Sequence, residues 1–276
     1  MDTRLYWETY GRHDFLYRDY RQAFEKAKIP VRFPIAQEVL FDLADRMDSI
    51  YKGMLDAAYK DNLYSVYILY RSLIDHYVKI QYIVEKTISE AGDVTAERYK
   101  KHLFITEVLA EQMGVLQMED LLSAVETQTD FLVFLQTKFP ELAGFDKENQ
   151  KEISAAIRQF DMRAMIKHLT EKYRERSDNP NAGWVFASTL TEYSQVSSFT
   201  HGGAYAGQLT RSLAADGKVE EQLHNKLHIG MTLLGVCKEN GLIVYEVDQS
   251  IISIIGEFQK TRAFPAAASQ AAGEKK

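Results

Sequence analysis

Three side chains that can bind anions or move protons lie close together in one apolar segment, residues 64–86. They are Arg71, Asp75 and His76, in the middle of YSVYILYRSLIDHYVKIQYIVEK. Arginine binds phosphates, and histidine exchanges protons near neutral pH. Because apolar residues recur on every side of the helical wheel, the segment predicts a helix that is buried all round. Buried charges are costly unless paired, so these side chains should have specific partners or a function.

Helical spacing predicts which partners they have. Arg71 and Asp75 are four residues apart, which places them about 40° apart on one helix face, whereas His76 lies about 140° round from Arg71. Ser197 and His201 are also four residues apart, near the end of a later predicted helix. We expect the two groups to join in one buried cluster made of Arg71, Asp75, Ser197 and His201. Such a cluster can fix the packing of two helices or carry chemistry, and both interpretations stay open.

The most basic stretch of the chain is residues 158–176, where six Arg and Lys side chains accompany three acidic ones. A charged face of this kind is usually solvated, and it can also hold phosphates. The predicted nucleic-acid-binding residues are Arg158, Arg163, Lys167, His168 and Lys172.

The sequence gives weaker evidence for a metal site or for a nucleotide cofactor. His224 and His228 have the HxxxH spacing of metal ligands, with His201 or Glu220 as a further ligand. Leucines run beside both histidines, so boundary positions on an amphipathic helix explain them equally well. There is no phosphate-binding glycine loop after a strand, and Cys237, the single cysteine, is predicted to be a core residue. We therefore expect no metal and no cofactor.

Composition limits the class of protein. The net charge of -6 argues against a protein whose affinity rests on the nucleic-acid backbone as a whole. One cysteine excludes an internal disulfide, and no apolar stretch reaches about 18 residues without charge. We expect a cytoplasmic protein with no membrane partner.

The elements that must position these side chains are predicted to be helices throughout, because 15 Gly and 5 Pro leave little material for turns. The predicted helices span about residues 13–27, 35–60, 64–86, 95–113, 118–137, 147–176, 183–201, 218–239 and 243–262, with Asn240-Gly241 as a C-cap. Three regions are expected: an aromatic-rich N-terminal segment at 1–34, one helical domain at 35–264 with a helical insertion at about 106–183, and a disordered tail at 265–276.

A bacterial all-helical domain family of unknown function resembles the chain in three motifs. The family carries Arg-Ser-x-x-Glu/Asp, an Arg-Tyr pair and Tyr-x-x-x-Ser-x-x-x-His, which here read RSLID at 71–75, Arg98-Tyr99, and Tyr193 with Ser197 and His201. The resemblance covers roughly residues 35–105 and 184–210, and Asp75 replaces the more usual Glu. That family looks related to HEPN-type bundles, which occur in toxins and phage-defence systems.

HEPN ribonucleases carry Arg-x(4–6)-His, and RSLIDH at 71–76 satisfies that pattern. RAMIKH at 163–168 satisfies it too, and about one match is expected by chance in this composition. The resemblance implies metal-independent RNA cleavage, often at a dimer interface. Arginine would stabilise the charge on the phosphorus centre, and histidine would transfer protons.

The sequence therefore predicts an all-α, HEPN-like antiparallel bundle with additional inserted helices. Its predicted function is that of an RNase-like effector of a bacterial defence or toxin-antitoxin system. The expected partners are RNA, a second copy of the chain and a defence-system protein. The predicted catalytic residues are Arg71, His76, Asp75, His201 and Ser197. The alternative, favoured by the acidic net charge, is a non-catalytic interaction or sensor module whose buried cluster is structural or holds a ligand.

Overall fold

The computed structural model describes residues 1–122, 130–138, 144, 146–177, 181 and 183–242. Within these residues the protein is an all-α bundle without a β-strand, as the sequence predicts. The α-helices are α1 Arg4–Lys26, α2 Pro34–Tyr59, α3 Leu63–Glu90, α4 Val94–Arg98, α5 Phe104–Leu122, α6 Phe131–Lys138, α7 Lys147–Ile157, α8 Met162–Glu175, α9 Trp184–Thr200, α10 Ala204–Ala215 and α11 Val219–Leu242. A π-helical turn, Tyr99–Leu103, separates α4 from α5.

The centre of the bundle is formed by α2, α3 and α11, which pack against one another. Three residues connect α2 to α3, and the Asn62 side chain caps α3 by accepting a hydrogen bond from the Ser65 amide. So short a connection makes the two helices antiparallel neighbours, as predicted. Helices α8 and α9 pack on α3 from the other side. α3 is therefore the helix that most of the bundle surrounds.

The first helix is longer than predicted. A helix was predicted from about residue 13, but α1 begins at Arg4. Its buried aromatic residues, Tyr6, Tyr10, Tyr17 and Phe24, recur every four or seven positions. That spacing keeps them on one side of a continuous helix, and α1 packs against α11 along the bundle.

Two predicted helices are interrupted in the structure. The segment predicted as one helix at 95–113 consists of α4, the π-helical turn and the start of α5. The Thr95 hydroxyl donates a hydrogen bond to Glu90, and Asp93 is the residue that precedes α4. α5 continues to Leu122 and α6 begins at Phe131, so the centre of the predicted helix 118–137 lies outside the described residues.

The basic helix predicted at 147–176 is also two helices. A 3-10 turn, Arg158–Phe160, follows α7, and Asp161 has an extended backbone with a ψ of 137°. The Asp161 side chain accepts hydrogen bonds from the amides of Arg163 and Ala164 and so caps α8. Phe160 is buried against the rings of Tyr82 and Tyr99. The helix breaks because burial of Phe160 and the cap at Asp161 favour a new start.

At the C-terminal end of the described chain, α10 was not predicted and α11 runs past its predicted cap. α11 continues to Leu242 through Gly241, where an added Cβ would lie 3.2 Å from the Phe41 ring. This glycine allows close packing of α11 on α2 rather than ending the helix. Cys237 is buried, as predicted. The predicted helix 243–262 and tail 265–276 lie outside the described residues.

Candidate functional site

One side of α3 is a polar stripe rather than a buried face. Six side chains of this stripe are only partly buried: Ile68, Arg71, Ser72, Asp75, His76 and Lys79. Their positions span about 140° of the helix between α9 on one edge and α2 on the other. The prediction that this helix is buried all round was wrong, because its neighbours leave the stripe between them uncovered. A solute can therefore reach side chains at the centre of the bundle.

At one edge of the stripe, two hydroxyl groups of α9 hold the Arg71 guanidinium. Its Nε donates to Ser197 Oγ at 3.2 Å, and its Nη2 donates to the Tyr193 hydroxyl at 2.6 Å. The guanidinium also lies 4.8 Å from the centre of the Tyr193 ring. Arg71 forms no ion pair with a carboxylate in the described part of the chain. Its charge is thus fixed in position but not neutralised, and several of its five N–H donors stay available.

Asp75 does not pair with Arg71, so the predicted pairing was wrong. Its carboxylate accepts a hydrogen bond from Lys79 Nζ at 2.6 Å, one turn further along α3. An acid four residues before a lysine is the favoured order on a helix. Arg71 is drawn toward α9 by Tyr193 and Ser197, which leaves Asp75 to Lys79. The neutralised Asp75–Lys79 pair lies along the middle of the stripe.

His76 lies at the other edge of the stripe. Its Nδ1 donates to the Ser72 carbonyl at 2.8 Å, because a carbonyl can only accept. Burial is the main cause that lowers the pKa of His76 below its usual 6.5, and the charges of Lys79 and Arg46 lower it further. The imidazole is therefore mainly neutral at pH 7. Its Nε2 carries a lone pair and has no hydrogen-bond partner among the described residues.

The predicted partner His201 is not part of this arrangement. It is the residue that follows α9, at its C-cap, and its side chain is exposed. No contact joins His201 to Arg71 within the described structure. Tyr193 takes its place as the second α9 group on Arg71. The Tyr193–Ser197 spacing of four could have indicated this role, because both residues then face the same neighbouring helix.

The five predicted nucleic-acid-binding residues do not form one exposed basic surface. Arg158, Arg163 and Lys167 are exposed on the 3-10 turn and on α8. Lys172 forms an ion pair with Glu175 at 2.7 Å, which raises the pKa of the lysine. Lys167 lies 4.0 Å from Glu171 and His168 faces inward, so of the five predicted residues only Arg158 and Arg163 are exposed without a nearby carboxylate among the described residues.

His168 belongs to a cluster of charged side chains that was not predicted from the sequence. Its Nε2 forms a short hydrogen bond with Glu85 of α3, whose side chain is 3% exposed. Arg176 donates to the other oxygen of Glu85 at 3.0 Å, and the Tyr82 ring meets the imidazole edge-on. Glu85 thus joins α3 to the middle of α8 and to Arg176, the residue that follows α8. The only sequence signal was an acid inside a long apolar run.

A wide cavity includes Arg46, whose charge acts on His76, in its lining. It has a volume of about 970 Å³ and lies between α2 and the π-helical turn, with Arg46 and Tyr99 in its lining. Lys100 bridges it by bonding to Glu38 at 2.6 and 2.7 Å. Among the described residues that line it, four are acidic and three are basic. The cavity therefore has no strongly positive lining, and none of its described lining residues belongs to α3.

A second buried cation lies between α1, α2 and α11. Lys238, which is 1% exposed, donates to Asp48 at 2.6 Å and to Asp14 at 2.9 Å. Asp48 also accepts from the Tyr10 hydroxyl at 2.7 Å and pairs with Lys52 at 2.9 Å. Burial by itself raises the pKa of Asp48, but Lys238 and these hydrogen bonds together lower it below its usual value. We call these five residues the Lys238 cluster.

Among the described residues, the HxxxH pair on α11 has no third side chain placed to complete a metal site. His224 Nδ1 shares a hydrogen bond of 2.9 Å with the Tyr6 hydroxyl, and its other nitrogen lies 3.8 Å from Glu220. His224 and His228 are both exposed. A search of the described residues finds no group of three side chains that could hold a metal ion. None of the described helices is long and apolar enough to cross a membrane.

Comparison with family models, with curated proteins and with solved structures found no match. The geometry of the α3 stripe is therefore the basis for proposing a function.

Proposed function

We propose that the protein is an RNase-like effector that binds RNA at the α3 stripe and cleaves it without a metal ion. The observation that carries this proposal is Arg71, a half-buried cation whose hydrogen-bond partners among the described residues are the hydroxyls of Tyr193 and Ser197. A fixed guanidinium with spare N–H donors suits a phosphate group. In that position it would stabilise negative charge as it develops on the phosphorus centre.

His76 supplies the proton transfer in this proposal. Its neutral imidazole has a lone pair on Nε2, so it would take the proton of a ribose 2′-hydroxyl as the 2′-oxygen attacks phosphorus. The new oxygen–phosphorus bond replaces the bond to the 5′-oxygen of the next nucleotide. The imidazolium returns its proton to that leaving oxygen. The products are a 2′,3′-cyclic phosphate and a 5′-hydroxyl, and no redox change occurs.

The spacing of the two residues sets the geometry of the site. Helix dimensions place the Cα atoms of Arg71 and His76 about 9 Å apart, on opposite edges of the stripe. A phosphate would lie over Ser72, where Lys79 neutralises the carboxylate of Asp75. A second copy of the chain facing the stripe would bring further Arg71 and His76 side chains. We include three further points in this proposal. The protein is related to HEPN bundles, it forms a homodimer, and it acts with a partner protein in a defence or toxin-antitoxin system.

The test is RNA cleavage in the presence of EDTA. We expect the wild-type protein to produce 2′,3′-cyclic phosphate ends, and Arg71→Ala and His76→Gln to produce far fewer. His228→Gln, an exposed histidine outside the stripe, is the matched control and should cleave as the wild type does. Circular dichroism must show that each variant is folded. Equal cleavage by all four proteins, or none by the wild type, would overturn the proposal.

The second candidate function is a non-catalytic sensor or interaction module that holds an anionic ligand at Arg71. The observation in its favour is that Arg71 and His76 face different neighbours, with the Asp75–Lys79 pair between them. The net charge of -6 also disfavours extended contact with RNA. This candidate predicts anion binding that needs Arg71 but not His76, with no cleavage at any pH. Binding that is lost equally in Arg71→Ala and His76→Gln would contradict it.

A further inference from the structure

A small cavity lies close to α9 but apart from the Arg71 site. It has a volume of about 200 Å³ and is lined by residues of α3, α9, α10 and α11. Neither Arg71 nor its two hydroxyl partners, Tyr193 and Ser197, contribute to its lining. At the density of liquid water this volume corresponds to about seven water molecules. It can hold one heterocyclic ring system but not a whole nucleotide.

The walls of this cavity are mainly aromatic and apolar. The Tyr67 and Phe199 rings stack with their centres 4.4 Å apart and their planes inclined by 8°. Tyr205, which is 50% exposed, lines the cavity from α10 together with Leu209 and Leu213. Because Tyr67 and Phe199 cover a face of each other and are only 5% and 1% exposed, the ring open to a flat ligand is that of Tyr205, with the leucine side chains beside it. Such surfaces favour a planar ligand.

Polar groups in the lining can recognise the edge of a ring. The Tyr67 hydroxyl donates to Gln222 Oε1 at 3.2 Å. Burial raises the pKa of Tyr67 to about 12, so the phenol stays protonated and keeps donating. The amide nitrogen of Gln222 then has no hydrogen-bond partner among the residues that the structure describes. Gln195 brings a second amide group to the cavity.

The one charged side chain in the lining is neutralised within the protein. Lys226 is buried and forms a short ion pair with Glu192 of α9. Its ammonium group also lies 4.6 Å from the centre of the Tyr70 ring. The cavity therefore offers an anion no uncompensated positive charge, in contrast to Arg71. This balance favours a neutral ligand.

We propose that the cavity binds a single neutral nucleobase, stacked on the aromatic wall and hydrogen-bonded to the amides of Gln222 and Gln195. Each base has a flat face for stacking and an edge of donors and acceptors that a carboxamide can match. The volume accepts the base and leaves its sugar outside, toward the exposed Tyr205. The site is independent of the proposed cleavage, because a free nucleoside has no phosphate for Arg71.

Calorimetric titration with adenosine, guanosine, cytidine and uridine tests this site. We expect at least one nucleoside to bind the wild-type protein, and Tyr205→Ala to weaken that binding by about 5- to 150-fold through lost stacking. Tyr59→Ala is the matched control, because Tyr59 is 68% exposed at the end of α2 and does not line the cavity. Leu213→Phe should abolish binding by filling the space with a ring. Both lining variants are checked for folding by circular dichroism.

The outcomes separate this inference from the proposed function. No binding of any nucleoside, or binding that Tyr205→Ala and Tyr59→Ala change equally, would overturn the nucleobase site. Arg71→Ala should bind the nucleoside as the wild type does. Nucleoside binding without RNA cleavage would support this site and remove the RNase proposal, and cleavage without nucleoside binding would do the reverse.

Discussion

Lys238 and Arg71 are both cations inside the bundle, but their surroundings differ. Lys238 is almost fully buried and has two carboxylates, Asp14 and Asp48, within hydrogen-bond distance. Arg71 is half-buried and has only the hydroxyls of Tyr193 and Ser197. The charge of Lys238 is neutralised by the fold, whereas that of Arg71 is only held in place. A neutralised buried charge stabilises the packing, and one left uncompensated at an accessible edge can bind an anion.

The largest expected effect is on stability, from removal of Lys238. Lys238→Ala removes the main partner of the buried Asp48, whereas the partly buried Asp14 keeps its ion pair with Arg18, and breaking a buried pair costs about 3–5 kcal/mol. Urea denaturation followed by circular dichroism measures the loss. The variant should keep its affinity for RNA as far as it stays folded. A loss below about 1 kcal/mol would show that Lys52 and Tyr10 can satisfy Asp48 alone.

Arg71→Ala should show the opposite pattern. Its hydrogen bonds to a bound phosphate are charge-assisted, so the affinity for an RNA oligonucleotide should fall by roughly 10- to 150-fold. Stability should change by only about 1 kcal/mol, because the lost partners are neutral hydroxyls. Fluorescence anisotropy gives the affinity and urea denaturation the stability. If Arg71→Ala destabilised the protein as much as Lys238→Ala, Arg71 would be a structural cation as well.

A smaller effect is expected from Tyr193→Phe. The ring remains beside the guanidinium, but the hydroxyl that accepts from Arg71 at 2.6 Å is gone. Losing one orienting hydrogen bond should weaken RNA binding by roughly 2- to 12-fold. Tyr59→Phe, at an exposed position, is the matched control in the same anisotropy assay. An unchanged affinity in Tyr193→Phe would show that Ser197 alone positions Arg71.

The smallest effect concerns the pH dependence of stability. Because burial lowers the folded-state pKa of His76 below 6.5, the unfolded chain binds more protons just below that pH. The contribution of His76 to stability is therefore present above about pH 6.5 and is lost as the pH falls. Urea denaturation at about pH 7.5 and about pH 5.5 should show a smaller difference in His76→Gln than in the wild type. An equal difference would mean that His76 is not desolvated.

The sequence could predict the parts of this site that depend on local spacing. The pattern in α2 and α3 predicted two long antiparallel helices. Arg71 with Ser197 was predicted and is confirmed by their hydrogen bond. The partner of Asp75 was not predicted correctly, because Lys79 and Arg71 are equally spaced from it and only α9 decides between them. The position of His201 was predicted wrongly, because helix spacing does not show where α9 stops contacting α3.

The sequence by itself determined that the chain is helical and that polar groups interrupt the apolar face pattern of α3. Hydrophobic periodicity and helix spacing are local properties, so they can be read without knowing what the helix packs against. Only the tertiary structure decided that Lys238 and Glu85 are neutralised by distant side chains while Arg71 is not. Charge compensation depends on which helices meet. The sequence does not show that residues far apart in the chain, such as Asp14 and Lys238, are in contact. The tertiary structure therefore distinguishes the cation that stabilises the bundle from the cation available to a ligand.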